Sequence, residues 1–200
     1  MFRNIIFDFG NVLIKWDCHP VYDRHFQDLA AKEKFFVETQ IQELNLEFDR
    51  GLPFTEGLTD LARKFPHYHD PIWMWKHSWV DMLGPEIAGS IEVLQELRQR
   101  GYALYGLTNW ADETFIYAEE NLEFLNCFVD IVVSGREKLI KPQLEIYQLL
   151  LNRNNLIATE SIFIDDKLIN VEAAQKIGIT GIHFQSPQQL RAELEHLKVL

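Results

Sequence analysis

The sequence predicts an α/β protein, a parallel sheet covered by helices on both faces, with an all-helical insert after the first strand. Two observations carry this. Short runs, most of them rich in Ile, Val, Phe or Tyr, recur at 3–8, 102–107, 129–133, 161–165 and 179–184, with helical patterns between the later ones. From about 17 to 85 no strand pattern occurs. Strands alternating with helices build parallel sheets, because each crossover must return the chain to the same edge.

In chain order, the first run is RNIIFD at 3–8, apolar until it ends on Asp8. Helical patterns then fall at about 20–30, 32–49, 54–65 and 70–83, punctuated by Pro53, Pro66 and Pro71. Trp73, Trp75 and Trp79, with Tyr68 and Met82, form an aromatic cluster there. Trp75 and Trp79 share one helix face, which predicts the core of a small helical bundle. Residues 86–100 place Ile87, Ile91, Leu94 and Leu97 on one face and stop at Gly101. After the runs at 102–107 and 129–133, residues 143–152 group Leu144, Tyr147, Leu150 and Leu151. Residues 168–177 group Ile169, Val171, Ala174 and Ile177 before Gly178.

A chain of 200 residues, 47% hydrophobic, suits one domain carrying a smaller insert. No apolar run is long enough for a membrane span, and the N-terminus lacks a secretory signal pattern. Cys18 and Cys127 stand far apart, as reduced cytoplasmic thiols do. A net charge of −11 without a Lys/Arg block excludes a nucleic-acid face but not a small anionic substrate. His67, His69 and His77 lack the cysteines and spacing of a structural zinc site. Oligomeric state is not encoded legibly.

In an open parallel sheet, ligands bind beyond the carboxyl ends of the strands. The first run is followed by Asp8 and Gly10-Asn11, the second by Thr108-Asn109, and the fourth by Asp165-Asp166. Lys141-Pro142 precedes a helix between the third and fourth runs. This set suits phosphoryl transfer. A carboxylate can attack phosphorus, and Mg2+ takes hard oxygen ligands of the kind Asp8 and the acidic pair supply. Thr108 and the following N–H can donate to phosphoryl oxygens. Lys141 can neutralise charge on the transferred group and between the carboxylates.

Together these segments resemble the haloacid dehalogenase (HAD) superfamily, in its phosphatase branch with a helical C1-type cap. DFGNVL at Asp8 resembles motif I, Leu107-Thr108-Asn109 motif II, Ile140-Lys141-Pro142 motif III, and IFIDD ending at Asp166 and continuing to Asn170 motif IV. The resemblance implies a Rossmann-like core at 1–14 and 86–200 and a cap at 15–85. It implies Asp8 as catalytic nucleophile, with Thr108 and Lys141 also catalytic. Thr108, Asn109 and Lys141 would bind the substrate phosphoryl group. Mg2+ would be held by Asp8, the Gly10 carbonyl and Asp166, with Asp165 as a ligand or its neighbour. Lys138 is the weaker candidate for the motif III lysine, since no proline or helix start follows it. The implied substrate is a small phosphorylated metabolite such as a sugar phosphate.

One departure stands out. Most phosphatases of this superfamily carry a second aspartate, as general acid and base, where this chain has Gly10. Losing such a group typically costs about 10²–10⁴ in rate. Similar members, including those resembling α-D-glucose-1-phosphate phosphatase, share the glycine. Asp17, His19 and His25, a substrate hydroxyl or a water are candidate replacements. Two alternatives follow: a metal-independent 2-haloacid dehalogenase, which would lack the acidic pair, and a degenerate domain that binds a phospho-ligand or partner without turnover.

Overall fold

The computed structural model describes residues 1–200. In chain order the elements are β1 (Asn4–Phe7), β2 (Ile14–Trp16), α1 (His19–His25), α2 (Leu29–Thr39), α3 (Ile41–Asp49), α4 (Phe54–Lys64) and α5 (His69–His77). Then come β3 (Leu83–Glu86), α6 (Ala88–Gln99), β4 (Ala103–Thr108), α7 (Asp112–Asn121), β5 (Asp130–Val133) and α8 (Ser134–Glu137). The chain ends with α9 (Leu144–Arg153), β6 (Ser161–Asp165), α10 (Leu168–Lys176), β7 (Thr180–His183) and α11 (Pro187–His196). All five predicted apolar runs are strands of one sheet, ordered β5-β4-β1-β6-β7 and parallel throughout.

The alternation of a strand decides which helix layer each side chain meets. On β1, Ile5 and Phe7 pack with Leu104, Ile162 and Ile164 against α6 and α11, through Leu94, Leu97, Leu190 and Leu194. Ile6 points the other way, with Tyr105, Leu107 and Phe163, against Ile146, Tyr147 and Leu150 of α9 and Ala173 and Ala174 of α10. Each wholly buried Ile or Phe contributes about 1.5–3 kcal/mol. The first layer continues without a break into Phe35, Phe48, Phe54 and Trp75 of the helical segment, so insert and sheet share apolar packing.

Three local expectations are corrected. The single helix read over 32–49 is two, because Gln40 lies in the left-handed region (φ 49°). The break re-aims the chain so that Phe35 on one side and Ile41 and Phe48 on the other are all buried. Ile169, placed on the apolar face of its helix, is exposed, and Asn170 is buried in its stead. A short antiparallel pair, β2 with β3, ties Trp16 to Leu83 and Ile14 to Glu86. Three residues of β2, and Gly84 and Pro85 in β3, give too little alternation to read. The pair lies where the chain leaves for the helical segment and returns from it.

Centring β1 in the sheet sets the site. Phe7 is level with Gly106 of β4 and Ile164 of β6, so Asp8, Thr108 and Asp165 leave the sheet at one edge. The Asp8 N–H extends the ladder by one bond, to Ile164 O at 2.9 Å.

Candidate active site

At that edge a cavity of about 180 Å³ opens between the sheet and α3. Of the seven residues singled out from sequence, five line it: Asp8, Gly10, Asn109, Lys141 and Asp166. Thr108 and Asp165 are buried next to it, at the ends of β4 and β6, and do not line it. Lys138 is exposed and does not line the cavity.

Lys141 is the centre of the arrangement. Its ammonium donates to Leu107 O (2.8 Å) and to Asp165 Oδ2 (2.7 Å), and pairs with Asp8 Oδ1 at 2.9 Å. Those three partners match its three protons. The loop carrying it is clamped by Asn109, whose Nδ2 donates to Lys141 O (3.1 Å) while its Oδ1 accepts the Lys141 N–H (2.9 Å). The Lys141–Pro142 peptide is cis. Burial pulls the Lys141 ammonium down, but Asp165 and Asp8 outweigh it and hold the group above its ordinary value.

The carboxylates differ in their satisfaction. Asp165 is wholly buried. Its Oδ1 accepts from Lys167 N (2.8 Å), and Asn170 Nδ2 lies 3.0 Å from both oxygens. Asp8 Oδ1 accepts the Phe9 N–H at 2.7 Å. Burial pushes the Asp8 carboxyl up to about 7; Asp165 and Asp166 push the same way, and Lys141 opposes them. Asp166 is raised as well, by burial and then by Asp165.

A divalent cation would relieve that repulsion, and the donor set fits one. Asp8, Asp165 and Asp166 each offer a carboxylate oxygen, all within 4.8 Å of one another. Gly10 adds a fourth oxygen: Ile14 N–H bonds Phe9 O and Asn11 N–H bonds Ile14 O, which leaves the Gly10 carbonyl between them without a main-chain donor. These are hard ligands of the type Mg2+ takes.

The other wall comes from outside the strand-end motifs. Ile14, Trp16, Leu46, Trp79, Leu83 and Trp110 give it an apolar surface. Trp79, read from sequence as core of the helical bundle, packs on Trp110 with ring centroids 5.4 Å apart, across the seam between insert and sheet. Trp75 does fill the bundle core, beside Tyr22 and Trp16. Asp17, His19 and His25, considered as replacement acids, do not line the cavity. Asp17 accepts the His19 N–H at the start of α1, and the two histidine rings lie against Phe36 and Phe26.

Sequence reasoning missed two titratable groups in the cavity, Lys167 next to Asp166 and Asp49 at the end of α3. Burial pushes the Asp49 carboxyl up to about 7, against the pull of Lys167, the Ala111 amide and Lys141. The available signal was faint: an acid in the last turn of a helix, where the macrodipole disfavours negative charge.

Comparison with known proteins shows the family. The haloacid dehalogenase-like hydrolase family matches residues 5–184. A sesquiterpene phosphatase of Aspergillus oryzae is 30% identical over 199 residues, covering 98% of this chain and 96% of the relative. A phosphorylated carbohydrates phosphatase of Thermotoga maritima is 24% identical over 182 residues, covering 90% and 83%. A HAD family enzyme from Bacteroides thetaiotaomicron, solved with magnesium and inorganic phosphate, superposes with a TM-score of 0.68 at 22% identity, covering 93% and 96% of the two chains. With a match spanning most of its length, and a relative aligned nearly end to end, this chain belongs to the haloacid dehalogenase-like hydrolase family.

Proposed function

We propose that the protein is a Mg2+-dependent phosphatase that hydrolyses a small phosphomonoester through an aspartyl-phosphate on Asp8. The observation that carries the proposal is the convergence of three carboxylates, their oxygens within 4.8 Å of one another, where one buried ammonium group pairs with only two of them, Asp8 and Asp165. Lys141, even with Lys167 on the cavity wall, does not balance three acids in a desolvated site, and a bound cation would complete the charge. Asp8, the Gly10 carbonyl and Asp166 would hold the cation. Asp165, with its oxygens already engaged by Lys141, Lys167 and Asn170, braces the lysine. When bound, the cation supplies positive charge for the transferred phosphoryl group. The phosphatase names of two relatives, and the magnesium and phosphate of the Bacteroides structure, support the reading.

The chain's own residues then divide the chemistry. A carboxylate oxygen of Asp8 attacks phosphorus, the ester P–O bond breaks, and the alcohol leaves. Water cleaves the aspartyl-phosphate, releasing inorganic phosphate and restoring Asp8. Lys141 keeps Asp8 ionised and aimed. Thr108 and the Asn109 N–H donate to phosphoryl oxygens. Residues 15–85 act as a cap over the leaving group, hinged near 14–17 and 84–88, where β2 and β3 pair.

The substrate class is a small phosphorylated metabolite, a sugar phosphate or similar. The wall of Trp16, Trp79, Trp110 and three aliphatic residues favours an organic part with an apolar face. Two free cysteines fit a reducing, cytoplasmic setting. No helix is long and apolar enough to cross a membrane. The test is hydrolysis of p-nitrophenyl phosphate by wild type and Asp8→Asn, with Mg2+ or EDTA. Activity confined to wild type with Mg2+ is expected. Equal activity in both proteins refutes the nucleophile, and chloride release from 2-chloropropionate in EDTA would move the protein to the dehalogenase reading.

A further inference from the structure

We infer that Asp49, carried by the helical insert, is the proton donor and acceptor of the reaction, in place of the acid missing at Gly10. The inference rests on the phosphatase reading above. Asp49 lines the same cavity as Asp8, Lys141 and Asp166. It is buried at the C-terminal end of α3, where the helix presents carbonyl oxygens and the last turn holds no basic side chain. One side chain bonds it: Asn45 Nδ2 donates to Oδ2 at 3.0 Å. Burial still outweighs the pull of Lys167, the Ala111 amide and Lys141, and a carboxyl raised by desolvation inside a cleft is the pattern of a functional group.

The geometry aims it. Asn45 Oδ1 accepts the Trp75 indole N–H at 3.1 Å, which turns the amide so that its NH₂ faces Asp49. Oδ2 is therefore the oxygen that accepts from Asn45. The main chain is fixed to the sheet: Ser134 Oγ–H donates to Asp49 O, and Ser134 Oγ accepts the Trp110 N–H at 2.9 Å. Gly51, two residues on (φ 100°), sits so close to Gly135 that an added Cβ would lie 2.9 Å from its carbonyl oxygen. Asp49 is thus bolted to the start of α8, and through Ser134 to Trp110 in the loop after β4, although it belongs to the insert. The charged groups acting on it are Lys167 and Lys141, with Asp8 and Asp166 across the same cavity. Burial keeps it protonated up to about neutral pH, as a general acid must be.

The proton balance closes. As Asp8 attacks and the ester P–O bond breaks, the Asp49 proton passes to the leaving oxygen, giving the neutral alcohol. The resulting carboxylate takes a proton from the water that attacks the aspartyl-phosphate, so phosphate leaves and both acids return to their starting states.

The experiment is kcat/KM for wild type and Asp49→Asn on phosphate monoesters of graded leaving-group basicity, from p-nitrophenyl phosphate to an alkyl phosphate. The p-nitrophenolate leaves without a proton, whereas an alkoxide needs one. We expect Asp49→Asn to lose about 10²–10⁴ on the alkyl ester and far less on p-nitrophenyl phosphate. The fall in kcat/KM above neutral pH should disappear from the variant's profile. Loss of equal size on every ester with an unchanged pH profile would mean a structural role and overturn the inference. So would wild-type behaviour of the variant. Asp8→Asn, run in parallel, separates the two readings: if it is inactive on all esters while Asp49→Asn resembles wild type, the phosphatase reading stands and the Asp49 inference falls. If Asp8→Asn retains activity, the phosphatase reading itself falls.

Discussion

Lys141→Met removes the buried cation that touches both Asp8, at 2.9 Å, and Asp165, at 2.7 Å. Methionine fills similar volume, so the change is chiefly electrostatic. Removing one partner of a buried pair costs about 3–5 kcal/mol, because the remaining charge is left uncompensated. Leu107 O also loses its donor. The cost depends on pH. Without the ammonium, the folded-state carboxyl of Asp8, already raised to about 7, rises further. The native variant then binds more protons than its unfolded chain over a wider range, so its stability falls relative to wild type as pH rises. For a chain of this size the full penalty corresponds to a drop in Tm of about 6–20 °C at pH 8. A smaller drop follows near pH 5, where protonation of Asp8 relieves the repulsion. The assay is thermal unfolding in EDTA at both pH values, with the double variant Lys141→Met/Asp165→Asn alongside. That double variant should recover part of the stability and none of the activity. A Tm drop independent of pH, or a double variant no more stable than the single, would refute the view that Lys141 holds the carboxylates together.

Three further outcomes are expected. The Asp49 carboxyl sits near 7 in the folded state against an ordinary 3.8, so native protein gives up stability as pH rises between those values, with the full penalty, on the order of 4 kcal/mol, above pH 7. Asp49→Asn should therefore melt higher than wild type at pH 8, and the advantage should vanish near pH 4; unfolding curves at the two pH values decide it. Mg2+ at a hundredfold its Kd should stabilise wild type by about 2.7 kcal/mol, or about 5–11 °C, and Asp166→Asn should lose most of that shift in a thermal titration with MgCl2. An added Cβ at Gly10 meets nothing within 4 Å, so Gly10→Asp should fold without steric cost, its Tm close to wild type near pH 5 and lower at pH 8, where the added carboxylate repels Asp8. Placed in the Asp49→Asn background it should return at least about tenfold of the lost kcat/KM on an alkyl phosphate; no gain would argue against proton transfer as the missing step.

The sheet, and the gathering of the candidate site residues at one of its edges, were legible because their signals are local. An apolar run ending in Asp8 or Asp165 states both the strand and the exit of the carboxylate, and parallel pairing then gathers the ends. Lys141 was legible through the proline and helix that follow it. The insert was readable as helical but not as a partner of the site. The break at Gln40, the β2–β3 pair and the packing of Trp79 on Trp110 depend on how the insert lies against the sheet. No window of neighbouring residues encodes that. Asn109 shows the same limit at the scale of one side chain. Its place in the motif pointed to its main-chain N–H as a phosphoryl donor, and gave no sign that its side-chain amide clamps the Lys141 loop.

Gly10 and Asp49 explain each other. The cavity and its immediate backing hold four carboxyl groups, Asp8, Asp49, Asp165 and Asp166, against two ammonium groups, Lys141 and Lys167. A fifth carboxyl at position 10 would stand two residues from the nucleophile, raising Asp8 further and weakening it as an anion at neutral pH. Leaving that place to glycine keeps the space beside Asp8 open and contributes a carbonyl oxygen without a charge. The proton function then has to come from another element, and α3 delivers it from the opposite wall. Because Ser134 fixes the Asp49 main chain to the loop after β4 while Asn45 and Trp75 orient its carboxyl from within the insert, the acid is aimed only when the two parts are packed together. Chemistry is in this way tied to docking of the insert, a coupling that an acid on the strand-end loop itself could not provide.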